Sequence, residues 1–390
     1  MKEPSPSNNP SISVGIYGLS SEGYQIASKL AAKGYEVFIV DETLGTAMLL
    51  RPEVASDYRE LWMLLAAEPL LPVRPTRESI SNSKVIFFTP KLRKNEDLMS
   101  EVKTRVIELA KSLASGTLLV FCSPLGIGGS KEIIERVEHV SGLVNGKDFS
   151  FAYAPLDSGK PVVFGSEGEL GDHFSIIEAA GFSMELFAIP KAELVHAQHT
   201  ITRYSNLGSN LEVAKRLTQM GFESPREYRQ IYADDLSFSL CDLRLVVDSL
   251  EPGDPLLYLA TGSVRSVESY TKFLVERIRE LVRLKDLKAS RLRILLFTDT
   301  DRLEIRGDRL SMANLIQEKL RDFYTDIEYL NMMKEGFTPT MGMEKINLLV
   351  FLSGSSEQKL LELYEDQISM TRSYMIRANL PVEFVEEVQK

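Results

Sequence analysis

The stretch SISVGIYGLSSEGYQIASKLAAKGYEVFIVD, residues 11–41, decides the fold. Ile12, Val14 and Ile16 alternate as the inward positions of a strand, and Gly18 ends the run. Ile26, Leu30 and Ala31 then recur at helical spacing, Gly34 stops the helix, and Val37–Val40 form a second apolar run ending at Asp41. Strand, tight turn, helix and strand in this order make a βαβ unit.

The punctuation of that unit approaches a dinucleotide fingerprint. In G-x-G-x-x-G the first glycine permits the turn, the second lets backbone approach a pyrophosphate, and the third lets the helix sit close to the strand. An acid roughly 20 residues on meets the ribose. Gly18, Ser20 and Gly23 fill the three glycine positions and Asp41 the acidic one. An acid there favours NAD over NADP, because a 2′-phosphate would be repelled. Ser20 adds a Cβ where the pyrophosphate comes closest, and Glu22 puts a negative charge in the first helical turn. Two readings stay open: a weak NAD site, or a structural βαβ unit with no ligand.

Outward from this unit the alternation continues. Apolar runs at Lys84–Thr89, Thr117–Ser123 and Phe149–Ala154 read as buried strands. Helical patterns fall at Tyr58–Ala67, Asp97–Leu113 and Ile133–Val140, with a short strand near Val73. Such alternation predicts a parallel sheet with helices on both faces and a ligand crevice beyond the carboxyl ends of the strands. From Pro190 the pattern turns helical. One long helix covers Lys191–Met220, followed by Pro225–Ala233, Leu236–Leu250 and Val264–Leu284. A second α/β pattern then opens with the strand Arg293–Thr298. Helix Ser311–Phe323, strands Asp326–Tyr329 and Asn347–Leu352, and helix Glu357–Met370 complete it. The chain thus divides into a disordered tail (1–10), a Rossmann-like domain (11–189), a helical middle domain (190–289) and a smaller Rossmann-like α/β domain (290–390).

Composition bounds the function. The 390 residues are 44% hydrophobic and 26% charged, ordinary for a globular protein. A net charge of -10 argues against nucleic acid as a partner. No apolar run is long enough for a membrane span, and the N-terminus carries no signal-peptide pattern. Two cysteines far apart, Cys122 and Cys241, point to a reducing compartment such as the cytoplasm, and to neither disulfides nor a thiolate metal site.

Several short segments, in shared order across roughly residues 11–370, resemble the UDP-glucose/GDP-mannose dehydrogenase family. Gly18-Leu19-Ser20-Ser21-Glu22-Gly23 is similar to its glycine turn, and Thr89-Pro90 with Asp97-Leu98 to its threonine-proline strand end and the helix start after it. Ser123 and Gly128 lie where its Ser-Thr…Pro-Gly turn faces the nicotinamide. Tyr153-Ala154-Pro155 is similar to the strand leading to its Pro-Glu pair. Ala192-Glu193-Leu194-Val195 resembles the start of its long helix, with Asn210 at a later asparagine. Arg309-Leu310-Ser311 resembles its Arg-x-Ser element beside the substrate nucleotide, and Leu352-Ser353-Gly354 sits at its Thr-Glu-Trp segment.

The resemblance implies NAD as cofactor, a nucleotide sugar as ligand, and dimerisation through the long helix, either with a second copy or with an active relative. It implies a twofold oxidation of a sugar alcohol to a carboxylate through a cysteine-bound thiohemiacetal and thioester. Lysine and asparagine donors would stabilise the oxyanion. The sequence departs at those very groups. Leu156 follows Pro155 in place of glutamate, His196 stands for the lysine and Thr200 for the asparagine, and no glycine loop precedes Cys241. Cys241 reads as either the nucleophile or a buried helix cysteine. His196 reads as either a general base or a hydrogen-bonded core residue, and His196 with His199 lacks a third metal ligand. Thr202 and Arg203 are further candidates for nucleotide contact, as is the basic loop Lys91, Arg93 and Lys94. The expectation is a catalytically silent homologue that binds NAD weakly. The alternative is an active enzyme, twofold or single-step, with a rearranged site.

Overall fold

A computed structural model describes residues 12–41, 80–92, 98–157, 159–168, 170–182, 185–301, 303–333, 345–369 and 371–385. The helix expected at Tyr58–Ala67, the strand near Val73, Asp97, and Arg93 and Lys94 of the basic loop lie outside them. The chain forms two compact units, Met1–His196 with Leu303–Ile305, and Ala197–Arg302 with Arg306–Lys390.

The first unit is built on β1 (Ser13–Tyr17), β2 (Glu36–Val40), β3 (Val85–Phe88), β4 (Leu118–Phe121) and β5 (Ser150–Tyr153), all parallel, in the order β2-β1-β3-β4-β5. Between them run α1 (Ser21–Ala32), α2 (Leu98–Ala110) and α3 (Gly129–Ser141). Order reverses between β1 and β3, which makes that gap the topological switch point, the crevice where such sheets take ligands. Beyond the polar first residues of β1, β2 and β5, each strand is a buried, mainly apolar run, as a sheet covered on both faces requires. An aromatic row crosses the sheet just below the crevice. Tyr17 stacks on Phe88 with ring centroids 5.5 Å apart, Phe88 on Phe121 at 4.4 Å, and Phe121 on Phe151 at 5.8 Å. Such pairs add roughly 0.5–1.5 kcal/mol each beyond their burial.

Local signals set the ends of α1. Ser20 is its N-cap, its Oγ accepting from Gly23 N at 3.0 Å, and Gly34 follows Lys33 with φ +86°. The sequence reading missed the far edge of this sheet. There a two-residue hairpin, β6 (Leu156–Asp157) and β7 (Lys160–Pro161), leads into β8 (Phe164–Ser166), which pairs antiparallel with β5. After α4 (Phe174–Ala179), β9 (Leu186–Phe187) closes the edge. Strands of two or three residues are too short to show a period.

A 31-residue helix, α5 (Ile189–Gln219), begins in the first unit and continues in the second. The second unit adds α6 (Ala233–Ser237), α7 (Leu240–Ser249) and α8 (Pro255–Leu284). Its sheet has the order β11-β10-β12-β13-β14, from β10 (Leu292–Thr298), β11 (Ile327–Asn331), β12 (Ile346–Phe351), β13 (Ser373–Arg377) and β14 (Glu383–Val385). Only β14 runs antiparallel. The helices α9 (Asp308–Arg321) and α10 (Gly354–Ser369) complete it. Three expected helices change here. Pro225–Ala233 holds only a 3-10 turn, Arg226–Gln230, because the chain extends at Ile231 and Tyr232 before α6 begins. Leu236–Leu250 is not continuous, because the chain breaks at Phe238 and Ser239 takes φ +64°. Helix α8 starts nine residues before the expected Val264, where Asp254 caps Leu256 N at 2.8 Å and Pro255 fills N1. Among the described residues no helix is long and apolar enough to cross a membrane.

Candidate functional site

The crevice of the first unit lies at the carboxyl ends of β1 and β3, and the structure brings most of the expected cofactor residues to it. Gly18 turns the chain with φ +92° directly against Pro90. A Cβ on Gly18 would lie 2.2 Å from Pro90 Cα. Thr89 Oγ1 donates to Gly18 O at 3.0 Å, and Gly23 brings α1 against the same threonine. Asp41, at the end of β2, accepts from Leu19 N at 2.7 Å. The turn is thereby braced by the group expected to hold a ribose.

The anion end of α1 is also in use. Ser21 N donates to Leu303 O at 3.0 Å and Gly23 N to Ser20 Oγ at 3.0 Å, while Glu22 is buried with Oε2 accepting from Ile305 N at 3.0 Å. Leu92, after β3, donates its N–H to Ile305 O at 2.8 Å. As a pyrophosphate cradle the turn does not fit: the amides of Leu19, Ser21 and Gly23 are engaged, and the buried Glu22 carboxylate stands beside them. By its position after the strand Arg293–Thr298, the loop Thr298–Arg309 reads from sequence as a ligand loop of the second α/β domain or as a solvated charge cluster. Its segment Leu303–Ile305 is instead packed in the core of the first unit, because pairing between segments some 280 positions apart leaves no trace in local pattern.

Further along the strand ends, Ser123 is buried with its Oγ unpartnered, next to Cys122. Burial, with a smaller contribution from the charge of Glu22, pushes the Cys122 thiol well above its ordinary range. Leu156 is fully buried, its N–H donating to Cys122 O at 3.2 Å. His196 is also buried, with Nδ1 3.0 Å from Tyr153 OH, whereas His199 on the same helix is exposed, so the two do not share a face. Among the described residues no three His, Cys, Asp or Glu side chains converge as metal ligands. Glu193, one turn before His196, accepts from Gly128 N at 2.8 Å and Ser130 N at 2.7 Å, capping α3. Glu193→Ala leaves two amides at that helix start without acceptors. It is expected to lower the urea unfolding stability of this unit by about 2–4 kcal/mol, since bonds to a charged acceptor contribute about 1.5–3 kcal/mol each.

In the second unit, Cys241 lies in the first turn of α7, just after the left-handed Ser239. That placement exposes a helix N-terminus to a sulfur, the setting that activates nucleophilic thiols. Here Asp308 Oδ2 takes Cys241 N at 3.0 Å, and the thiol donates to Asp242 Oδ1 at 3.3 Å. Asp242 in turn forms a buried bidentate pair with Arg306, Nε to Oδ1 at 2.7 Å and Nη2 to Oδ2 at 2.7 Å. The guanidiniums of Arg203 and Arg309 lie over the Phe238 ring, at 5.0 and 4.9 Å from its centroid. Ser311 Oγ donates back to Gly307 O at 3.1 Å within α9. Thr200 is buried and Asn210 half-buried along α5. Asp234 at the start of α6 accepts from Thr298 Oγ1 at 3.1 Å, and its N–H donates to Leu352 O, so the chain also covers the ends of β10 and β12. A surface cavity of about 420 Å³ borders Tyr232, Glu357 and Arg377. Glu357 there accepts from Arg377 Nε at 2.8 Å and from Tyr232 OH at 2.8 Å, so its main charges are already matched. Arg306 and Asp308 belong to the charged loop Thr298–Arg309 that the sequence marks, but Asp242 carries no local signal, and the pairing exists only once α7 meets the loop and the start of α9.

No protein-family model and no curated protein matches the sequence. Solved structures do resemble it. The UDP-D-ManNAc dehydrogenase of Pyrococcus horikoshii superposes with a TM-score of 0.64 at 18% identity, covering 88% of this chain and 89% of that one. A UDP-N-acetyl-mannosamine dehydrogenase from S. aureus gives 0.58 at 16%, over 87% and 88% of the two chains. A UDP-glucose dehydrogenase from the archaeon Pyrobaculum islandicum gives 0.56 at 15%, over 95% and 88%. The chain therefore has the fold of the UDP-sugar dehydrogenases along most of its length.

Proposed function

We propose that this chain keeps the scaffold of a nucleotide-sugar dehydrogenase without its twofold oxidation, and serves as a silent or regulatory homologue. One observation carries the reading: neither thiol is available as a nucleophile, Cys122 being 0% and Cys241 4% exposed. A thiohemiacetal needs a sulfur that reaches the substrate, and a thioester route has no other entry. The neighbouring replacements agree with this. Leu156 offers no acid, and His196 is spent on Tyr153. Groups that act as one unit fail together, so losing the sulfur alone would remove the pathway. Partnership with a second copy or an active relative through α5 belongs to the same reading, and exposed Leu194 and Val213 on that helix support it.

Incubating the purified protein with NAD and a panel of UDP- and GDP-sugars is expected to give no increase in absorbance at the NADH band. Steady NADH formation that Cys241→Ser abolishes would overturn the proposal. A thiol-reactive dye is expected to label neither cysteine in the folded protein and both after denaturation.

A further inference from the structure

We propose that the resident ligand of the first unit's dinucleotide crevice is the chain's own segment Leu303–Ile305, held where a pyrophosphate would sit, and that the unit therefore excludes NAD. The inference goes beyond the silent reading and does not rest on it, since an occupied crevice concerns binding and a missing thiol concerns turnover.

Three features point the same way. The segment spans the switch point, paired by its backbone to both sides: Leu303 O takes Ser21 N at the start of α1, and Ile305 O takes Leu92 N after β3. Its position is that of a ligand, yet its packing is that of core, because Leu303 and Ile305 belong to the buried apolar cluster of this unit. Glu22 decides between peptide and phosphate. Its carboxylate accepts the Ile305 N–H at 3.0 Å. A pyrophosphate has no N–H to offer and brings negative charge, so the same carboxylate would repel it. A peptide presents both complements at once, a carbonyl for the helix N-terminus and an amide for the acid. The crevice is thus built for a peptide in the chemistry of its two nearest side groups. Asp41 is engaged in the turn as well, its Oδ2 accepting the Leu19 N–H at 2.7 Å.

The test is binding of NAD and NADH by calorimetry to the full chain and to a variant carrying Leu303→Gly, Glu304→Ser, Ile305→Gly and Glu22→Gln. The native protein is expected to show no binding at about 1 mM ligand, and the variant to gain affinity about tenfold or more over that limit. Binding by the native protein below about 1 mM, or a folded variant that gains nothing, would overturn the proposal. Should the variant not fold, hydrogen exchange on the native chain decides. The amides of Ser21, Leu92 and Ile305 are expected to be protected together by about 100-fold or more, and exchange at the rate of open chain would refute the docking. The two readings separate cleanly. A variant that binds NAD and reduces it with a nucleotide sugar leaves the occupied crevice standing and removes the silent reading. A variant that binds without turnover supports both.

Discussion

Arg306→Ala is expected to be the most damaging single change in the second unit, lowering its unfolding free energy by about 3–5 kcal/mol. Arg306 and Asp242 are both almost fully buried, and their two 2.7 Å bonds are parallel. The pair itself need not stabilise the fold much, because taking two ions out of water offsets their attraction. Removing one partner is different: it leaves a buried carboxylate without its bidentate guanidinium. A double variant, Arg306→Met with Asp242→Leu, removes both charges and fills similar volume. It is expected to recover most of the loss, to within about 1–2 kcal/mol of the native protein. Urea unfolding of the three proteins, followed by far-ultraviolet circular dichroism, reads the difference. A single variant as stable as the double one would show that breaking the pair does not strand a buried charge.

Gly18→Ala is expected to destabilise the first unit by about 3–5 kcal/mol, from two causes that add. A φ of +92° strains any residue with a Cβ, and that Cβ would sit 2.2 Å from Pro90 Cα and 2.5 Å from Pro90 N. Those are backbone atoms of a ring residue, so no rotamer change relieves the overlap. Gly34→Ala isolates the first cause. Its φ of +86° is similar, but nothing lies within 4 Å of the added Cβ, so a cost of only about 1–2 kcal/mol is expected. Thermal or urea unfolding of both variants checks the gap between them. Equal losses would mean that the β1 turn is not pressed against the β3 turn.

That closeness separates what the residue pattern could show from what it could not. Gly18 and Gly23 are legible as one turn because their spacing repeats a strand-turn-helix arrangement, and Thr89 as the carboxyl end of a separate buried strand. Their mutual packing was not legible. Ser20 illustrates the limit well: its sequence position suggested a crowded phosphate contact, whereas in the fold its Oγ caps the helix. Glu22 was legible as an obstacle to phosphate but not as the acceptor of a particular amide. Cys241 carried two readings, and its neighbours Asp242 and Asp308 settled its surroundings only when α7 and α9 came together.

Periodicity and turn chemistry alone determined the alternation of strand and helix, the parallel sheets, the long helix and the residues at the carboxyl ends of β1–β4. These follow from interactions between residues a few positions apart, which a linear pattern records. The tertiary structure alone decided what fills the crevice, which carboxylate caps which helix, and which cysteine faces which acid. Those outcomes depend on backbone and side-chain groups 60 to 280 positions apart, such as Glu193 with Ser130 and Glu22 with Ile305. Hydrogen bonds of that range are selected by the geometry of the packed core, and no local propensity encodes them.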